Sequence, residues 1–208
     1  MTRVQVTVLL ALAAIVWGVW LFIAGAAVGM DYLAPFSLTV GVVTVAVALF
    51  NIYIWRWPIF RGWLVSKPDL AGTWRVRLDS DYVDLKSGGM RRVDAYFVVR
   101  QTYLNVSIRM FSPETSSKTL AAALTVTEDD EWTLHGSYLD TPLVTVDGQR
   151  NIHYGAFYLV LSGKPVASFQ GRYWTDRKTR GNIESSGVLR HREFGSYREA
   201  AAAKIETK

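Results

Sequence analysis

Two long, mostly apolar runs open the chain, Val4–Val28 and Phe36–Ile54. Neither contains a Lys, Arg, Asp or Glu, and between them lie Met30-Asp31-Tyr32 and Pro35. At 1.5 Å per residue, about 20 apolar residues match the hydrocarbon core of a bilayer, roughly 30 Å thick. The pattern predicts a transmembrane helical hairpin over residues 1–55, with spans at about 4–28 and 36–54. Beyond Pro68-Asp69 the pattern changes. Trp74, Val76 and Leu78 alternate with Thr73, Arg75, Arg77 and Asp79, which is the period of a strand with two unlike faces.

That period recurs through the rest of the chain. Strands are expected over Val93–Thr102, then at Leu104, Val106, Ile108 and Met110, and next over Thr119–Thr127, Glu131–Leu139, His153–Leu161, Val166–Trp174 and Asn182–Arg190. Polar turns separate them at Ser87-Gly88-Gly89, Pro113–Lys118, Glu128-Asp129-Asp130, Asp140–Asn151, Ser162–Pro165 and Thr175–Arg180. About eight successive strands with no helix-period segment between them predict an all-β, antiparallel up-and-down barrel, with a two-sheet sandwich as the competitor. The barrel is expected over residues 68–192. Residues 56–67 then form a juxtamembrane linker, and residues 193–208 a flexible tail.

Charge changes the picture by giving the hairpin a direction. Residues 4–54 hold one charged side chain, Asp31, so the net +5 of the 208-residue chain belongs to the strand-patterned part. Arg3 precedes the first span, and Arg56, Arg61 and Lys67 follow the second. The positive-inside rule therefore puts both termini in the cytoplasm. Trp55, Trp57, Phe60 and Trp63, interleaved with Arg56 and Arg61, read as an interfacial anchor. A basic domain beside a membrane suits an anionic partner such as lipid, nucleic acid or a small phosphate ligand.

Candidate chemistry is sparse. With no cysteine there is no disulfide framework, thiolate nucleophile or Cys-ligated zinc. The three histidines, His135, His153 and His191, lack metal-ligand spacing, and no Gly-rich phosphate cradle joins a strand to a helix. An enzyme is not expected, nor is a metal.

Leu70-Ala71-Gly72-Thr73-Trp74 resembles the L-x-G-x-W opening of lipocalin-like barrels. Further on come Arg100-Gln101-Thr102, Thr115-Ser116-Ser117, Gly136-Ser137-Tyr138 with Pro142, and His153-Tyr154-Gly155. The last block is Gly171-Arg172-Tyr173-Trp174-Thr175-Asp176-Arg177-Lys178-Thr179-Arg180-Gly181. In this order, behind two apolar spans, the chain resembles the two-transmembrane, β-strand-rich effectors of bacterial CBASS anti-phage systems. The resemblance runs from Val4 to Arg190. It implies a cytoplasmic lipocalin-like barrel that binds a cyclic dinucleotide made by a partner synthase. It also implies self-association of the membrane helices, disruption of the bacterial inner membrane and abortive cell death. The activating ligand is then the only small molecule required, and DNA or RNA is not an expected partner. The alternative is a membrane-anchored lipocalin-like carrier or scaffold with no nucleotide ligand.

Such a ligand asks for Arg or hydroxyl donors to its phosphates and aromatic faces for its bases. Arg109, in phase with Asn105 and Ser107, is expected to line the cavity. Gln101, Ser116 and Ser117 match the family's polar strand and loop, and Tyr138 and Tyr173 are candidate stackers. His153 and Gly155 open a strand, while Arg177, Thr179 and Gly181 lie in or beside the last turn. In the hairpin, Gly18, Gly25 and Gly29 are candidate assembly positions, because small residues four apart let helices approach closely.

Overall fold

A computed structural model describes residues 3–23, 30–83, 90–143, 152–203 and 205. The chain divides into two compact units. The first holds α1 (Arg3–Ile23), α2 (Met30–Ile52), two short 3-10 turns (Ile54–Arg56 and Pro58–Phe60) and the segment Thr102–Leu104. The second holds the eight strands and a short terminal helix, α3 (Tyr197–Ala202).

In the first unit the helices contain 21 and 23 residues. Helix α2 starts at Met30, so Asp31 and Pro35, read above as part of a link, lie inside it. Among the described residues no helix is long and apolar enough to cross a membrane. Of the expected assembly positions, Gly18 lies on α1 with nothing within 4 Å of a built Cβ; Gly25 and Gly29 lie outside the described residues. Trp55 is buried, against its expected place in an interfacial anchor, with the Arg56 guanidinium 4.9 Å from its ring centroid. Trp57 and Trp63 are exposed. Asn51 ties the unit together, its carbonyl accepting from the Tyr103 amide at 2.9 Å and its side chain from the Leu104 amide at 3.0 Å.

The second unit is a closed barrel in which each strand pairs antiparallel with the next and β8 returns to β1. The strands are β1 Gly72–Val83, β2 Met90–Gln101, β3 Val106–Phe111, β4 Thr115–Val126, β5 Trp132–Pro142, β6 His153–Ser162, β7 Ser168–Thr175 and β8 Arg180–Arg190. Closure decides which face goes inward. Trp74, Val76, Ala95, Phe97, Val99, Leu134, Phe157, Leu159, Phe169 and Ile183 form the buried core. Their alternating neighbours carry the outer charges, paired as Arg75–Asp94, Arg92–Asp79 and Arg77–Glu184. One end of the interior is filled. Trp74 is wholly buried, its indole Nε1–H donates to the Leu70 carbonyl at 2.9 Å, and the Arg190 guanidinium lies 4.8 Å over its ring.

Several element boundaries differ from expectation, among them the start of β4 and the tail. Strand β4 begins at Thr115, so Ser116 and Ser117 stand in a strand and not in a turn. The turn shortens to residues 112–114, where the Ser112 Oγ accepts from the Thr115 amide at 2.9 Å. The expected flexible tail carries α3, capped by Ser196, which accepts from the Glu199 amide. This helix is amphipathic enough to matter: Ala200 and Ile205 are buried with Tyr96 on the outer face of β2, and Tyr197, Phe194 and Leu189 pack around them.

Candidate functional site

The interior changes character toward the end of the barrel opposite Trp74. Continuing inward-facing positions along each strand leads from apolar residues to polar ones. In β1, Trp74, Val76 and Leu78 are followed by Ser80, and β2 runs back from Phe97 and Ala95 to Arg91. In β5, Leu134 leads to Tyr138 and Asp140, and β6 runs back from Phe157 to Gly155 and His153. In β7, Phe169 leads to Tyr173. The register joins these positions round the wall: Ser80 pairs with Arg91 and Gly181, Gly181 with Tyr173, Tyr138 with Gly155, and Asp140 with both Ser117 and His153.

Two tyrosines dominate this polar mouth. A Cβ on Gly155 would fall 2.3 Å from the Tyr138 ring, and one on Gly181 2.3 Å from the Asp79 carbonyl oxygen and 2.6 Å from the Tyr173 ring. Each glycine thus leaves the space its neighbour's phenol occupies. Tyr138 also stacks on Phe157, with centroids 6.4 Å apart. Burial raises the Tyr138 phenol above its ordinary range, and the Asp140 carboxylate and Tyr173 add to the effect. Tyr173 is also raised by burial, against a hydrogen bond with Ser80 that favours the ionised form. Around them stand an Arg91–Glu114 ion pair and the His153 Nδ1, 3.8 Å from an Asp140 Oδ2. Asp140, Ser117 and Thr115 are buried.

The raised phenols link stability to alkaline pH. In the unfolded chain tyrosines ionise near pH 10. In the folded barrel these two stay neutral to higher pH, so their contribution is present below about pH 10 and is lost as pH rises past it. Denaturation midpoints measured from pH 8 upward are expected to fall beyond about pH 10. Tyr138→Phe is expected to flatten that fall. An unchanged profile in the variant would show that Tyr138 does not contribute.

Six of the expected ligand residues meet at the mouth: Ser117, Tyr138, His153, Gly155, Tyr173 and Gly181. The others do not. Arg109 points outward and is exposed, because the apolar set Val106 and Ile108 takes the interior. Ser116 also lies on the outward phase of β4, between buried Thr115 and Ser117. Gln101 sits at the opposite end, accepting from the Leu70 amide at 2.7 Å and donating to the Pro68 carbonyl at 2.8 Å. Thr179 ties the last turn, with its Oγ1 2.7 Å from that of Thr175 and its carbonyl accepting from the Thr175 amide. Arg177 is exposed in that turn. From the sequence, Ser80, Arg91 and Asp140 are not singled out as site residues, and Thr115 is named only within the Thr115-Ser116-Ser117 block. Arg91 was within reach of the strand period, two and four residues before inward-facing Val93 and Ala95.

The family model described as Cap15, cyclic dinucleotide receptor domain, matches residues 65–186. The chain is also 25% identical over 148 residues to CD-NTase-associated protein 15 of Staphylococcus schleiferi, covering 71% of this chain and 75% of that protein.

Proposed function

The chain belongs to the Cap15 cyclic dinucleotide receptor family, and from that premise we propose that the polar mouth of the barrel binds the cyclic dinucleotide. The observation that carries this is the convergence of Tyr138, Tyr173 and Arg91 on one end of the interior, beside the hydroxyls of Ser80, Thr115 and Ser117. The tyrosine faces suit the two bases. Arg91 and the hydroxyls suit the phosphates, with Glu114 holding the guanidinium in place until a phosphate competes for it. The glycines keep the rings at the wall. An apolar carrier is disfavoured, since the apolar half of the interior is filled by Trp74, Phe97, Phe169 and Leu159.

A place for the chain in a defence system is part of this proposal, supported by the name of its staphylococcal relative, which ties that protein to a CD-NTase. A synthase of that class would supply the ligand here. We place the barrel in the cytoplasm, both termini there too, with α1 and α2 as a two-pass hairpin in the inner membrane. The described helices by themselves fall short of a span; the support is the apolar sequence of residues 4–28 and 36–54 and the apolar exposed side chains Ile15, Val19, Phe22, Ile23, Val43, Val45, Val47 and Leu49. Exposed Trp57 and Trp63 near Arg56 and Arg61 suit the headgroup layer. Ligand binding is proposed to drive association of hairpins, loss of membrane integrity and cell death.

Calorimetry on the full chain in detergent micelles, across a panel of cyclic dinucleotides, tests the ligand. At least one is expected to bind. Arg91→Ala is expected to weaken it by roughly tenfold or more, as for the loss of a charged hydrogen bond. Heat from none of the panel would overturn the reading. Sodium carbonate washing of membranes tests the hairpin: the chain is expected in the pellet, and recovery in the wash would remove the membrane role.

A further inference from the structure

We infer that the outer wall of the barrel carries a second binding site, separate from the mouth, for a small phosphate-bearing anion. Its frame is a cavity of about 340 Å³ between β2, β3, β4 and the residues that follow β8. Arg100, Arg109 and Lys118 line it, with the hydroxyl-bearing Ser107, the ring-bearing Phe194, and Thr119, whose hydroxyl is bonded to the Ile108 backbone. The volume is at the small end of ligand pockets, about 300–1,000 Å³, which favours a small phosphate compound over a cyclic dinucleotide.

The charge arrangement points to an anion. Arg109 and Lys118 face each other directly in the β3–β4 register. Like charges placed opposite on neighbouring strands cost stability. Several other outer barrel arginines are matched with acids, Arg75 with Asp94, Arg92 with Asp79 and Arg180 with Asp81, although, among the described residues, exposed Arg172 of β7 is not. Among the described residues neither Arg109 nor Lys118 has such an acid. The Arg109 guanidinium lies 5.3 Å from the centroid of the Phe111 ring.

The pocket already holds one carboxylate. Arg100 Nε donates to Glu193 Oε2 at 2.7 Å, so the site takes an oxyanion from the chain itself. Glu193 belongs to the segment that continues through Gly195 into α3, which packs on Tyr96. An arriving phosphate would bridge Arg109 and Lys118 and compete with Glu193 for Arg100. This site needs nothing from the mouth and holds whether or not the mouth takes a dinucleotide.

The test uses the full chain in detergent micelles and two probes: inorganic pyrophosphate, and glycerophosphoglycerol as the free headgroup of an anionic lipid. Calorimetry at low salt is expected to show binding of at least one. Preference for pyrophosphate would mark a free phosphate as the natural source, and preference for glycerophosphoglycerol a lipid headgroup. The R109A/K118A variant is expected to weaken the bound probe by roughly tenfold or more, and E193Q to strengthen it by freeing Arg100. All three positions are on the outer wall, so both variants are expected to fold, and unchanged far-ultraviolet dichroism confirms it. No binding of either probe, or equal binding by R109A/K118A, overturns the site. A loss of probe binding in E193Q would also overturn it, because the carboxylate would then be a support and not a competitor.

Discussion

Trp74→Ala is expected to destabilise the barrel by about 3–5 kcal/mol, the cost of removing a large aromatic side chain from a packed core. The total stability of a domain is about 5–15 kcal/mol, so this one change removes a large part of it. Trp74 has no exposed surface, and its ring packs against Phe169 with centroids 5.0 Å apart. Two further groups depend on it. The Leu70 carbonyl loses its indole donor, and the Arg190 guanidinium loses the ring it covers. Arg190 itself donates to the Asp69 and Val166 carbonyls, so it fastens the chain entering β1 to the β6–β7 turn. Without the ring beneath it, that closure loosens. Hydrogen exchange of β1 and β8 amides, read by mass spectrometry on the full chain in micelles, measures the effect. Trp174→Ala is the control: that side chain is 51% exposed, and surface changes stay within about 0.5 kcal/mol. Equal protection in the two variants would show that Trp74 does not close the barrel.

Gly155→Ala is expected to weaken cyclic dinucleotide binding by about ten- to a hundredfold while leaving the barrel folded. The new Cβ would sit 2.3 Å from Tyr138 Cζ and 2.4 Å from its Oη. Those atoms are the far end of a side chain, so the ring swings away and the backbone stays. The site then loses a stacking face, worth about 1–3 kcal/mol per base. Gly171→Ala gives the opposite outcome. Its Cβ would lie 1.9 Å from the Tyr158 carbonyl oxygen and 2.8 Å from the Leu159 Cα. Backbone cannot yield in a hydrogen-bonded ladder, and this variant is expected to lose fold and binding together. Calorimetry paired with a thermal melt separates the two. Full binding by folded Gly155→Ala would remove Tyr138 from the site.

The contrast between those glycines bears on what can be read from a sequence. All strand glycines look alike in a one-letter string. Only the curvature of a closed sheet makes one of them meet a phenol and another a carbonyl. Arg109 teaches the same lesson. Its phase with Asn105 and Ser107 was legible, and so was the apolar phase of Val106 and Ile108. The error lay in giving the polar face to the interior. In a barrel of this size burial of apolar surface settles the matter, and the polar phase faces outward except near the mouth. Tyr138, Tyr173 and His153 were found because they lie in the inward phase where it turns polar. Arg91 and Asp140 obey the same rule, but the expected strands, Val93–Thr102 and Glu131–Leu139, stop short of them, whereas β2 and β5 include them.

The two apolar runs, the switch to period two near Pro68, and the count of strands are local facts, so the sequence by itself determined the helices and the eight-stranded sheet. Periodicity depends only on neighbours along the chain. Three things were decided by the tertiary structure alone. Closure of β8 onto β1 chose which phase is inside. The register brought Ser80, Arg91, Tyr138, Asp140 and Tyr173 from four strands to one mouth. The packing of Ala200 and Ile205 on Tyr96 turned an unpromising tail into part of the outer wall. Each is a contact between residues far apart in the chain, and no local pattern encodes such a distance.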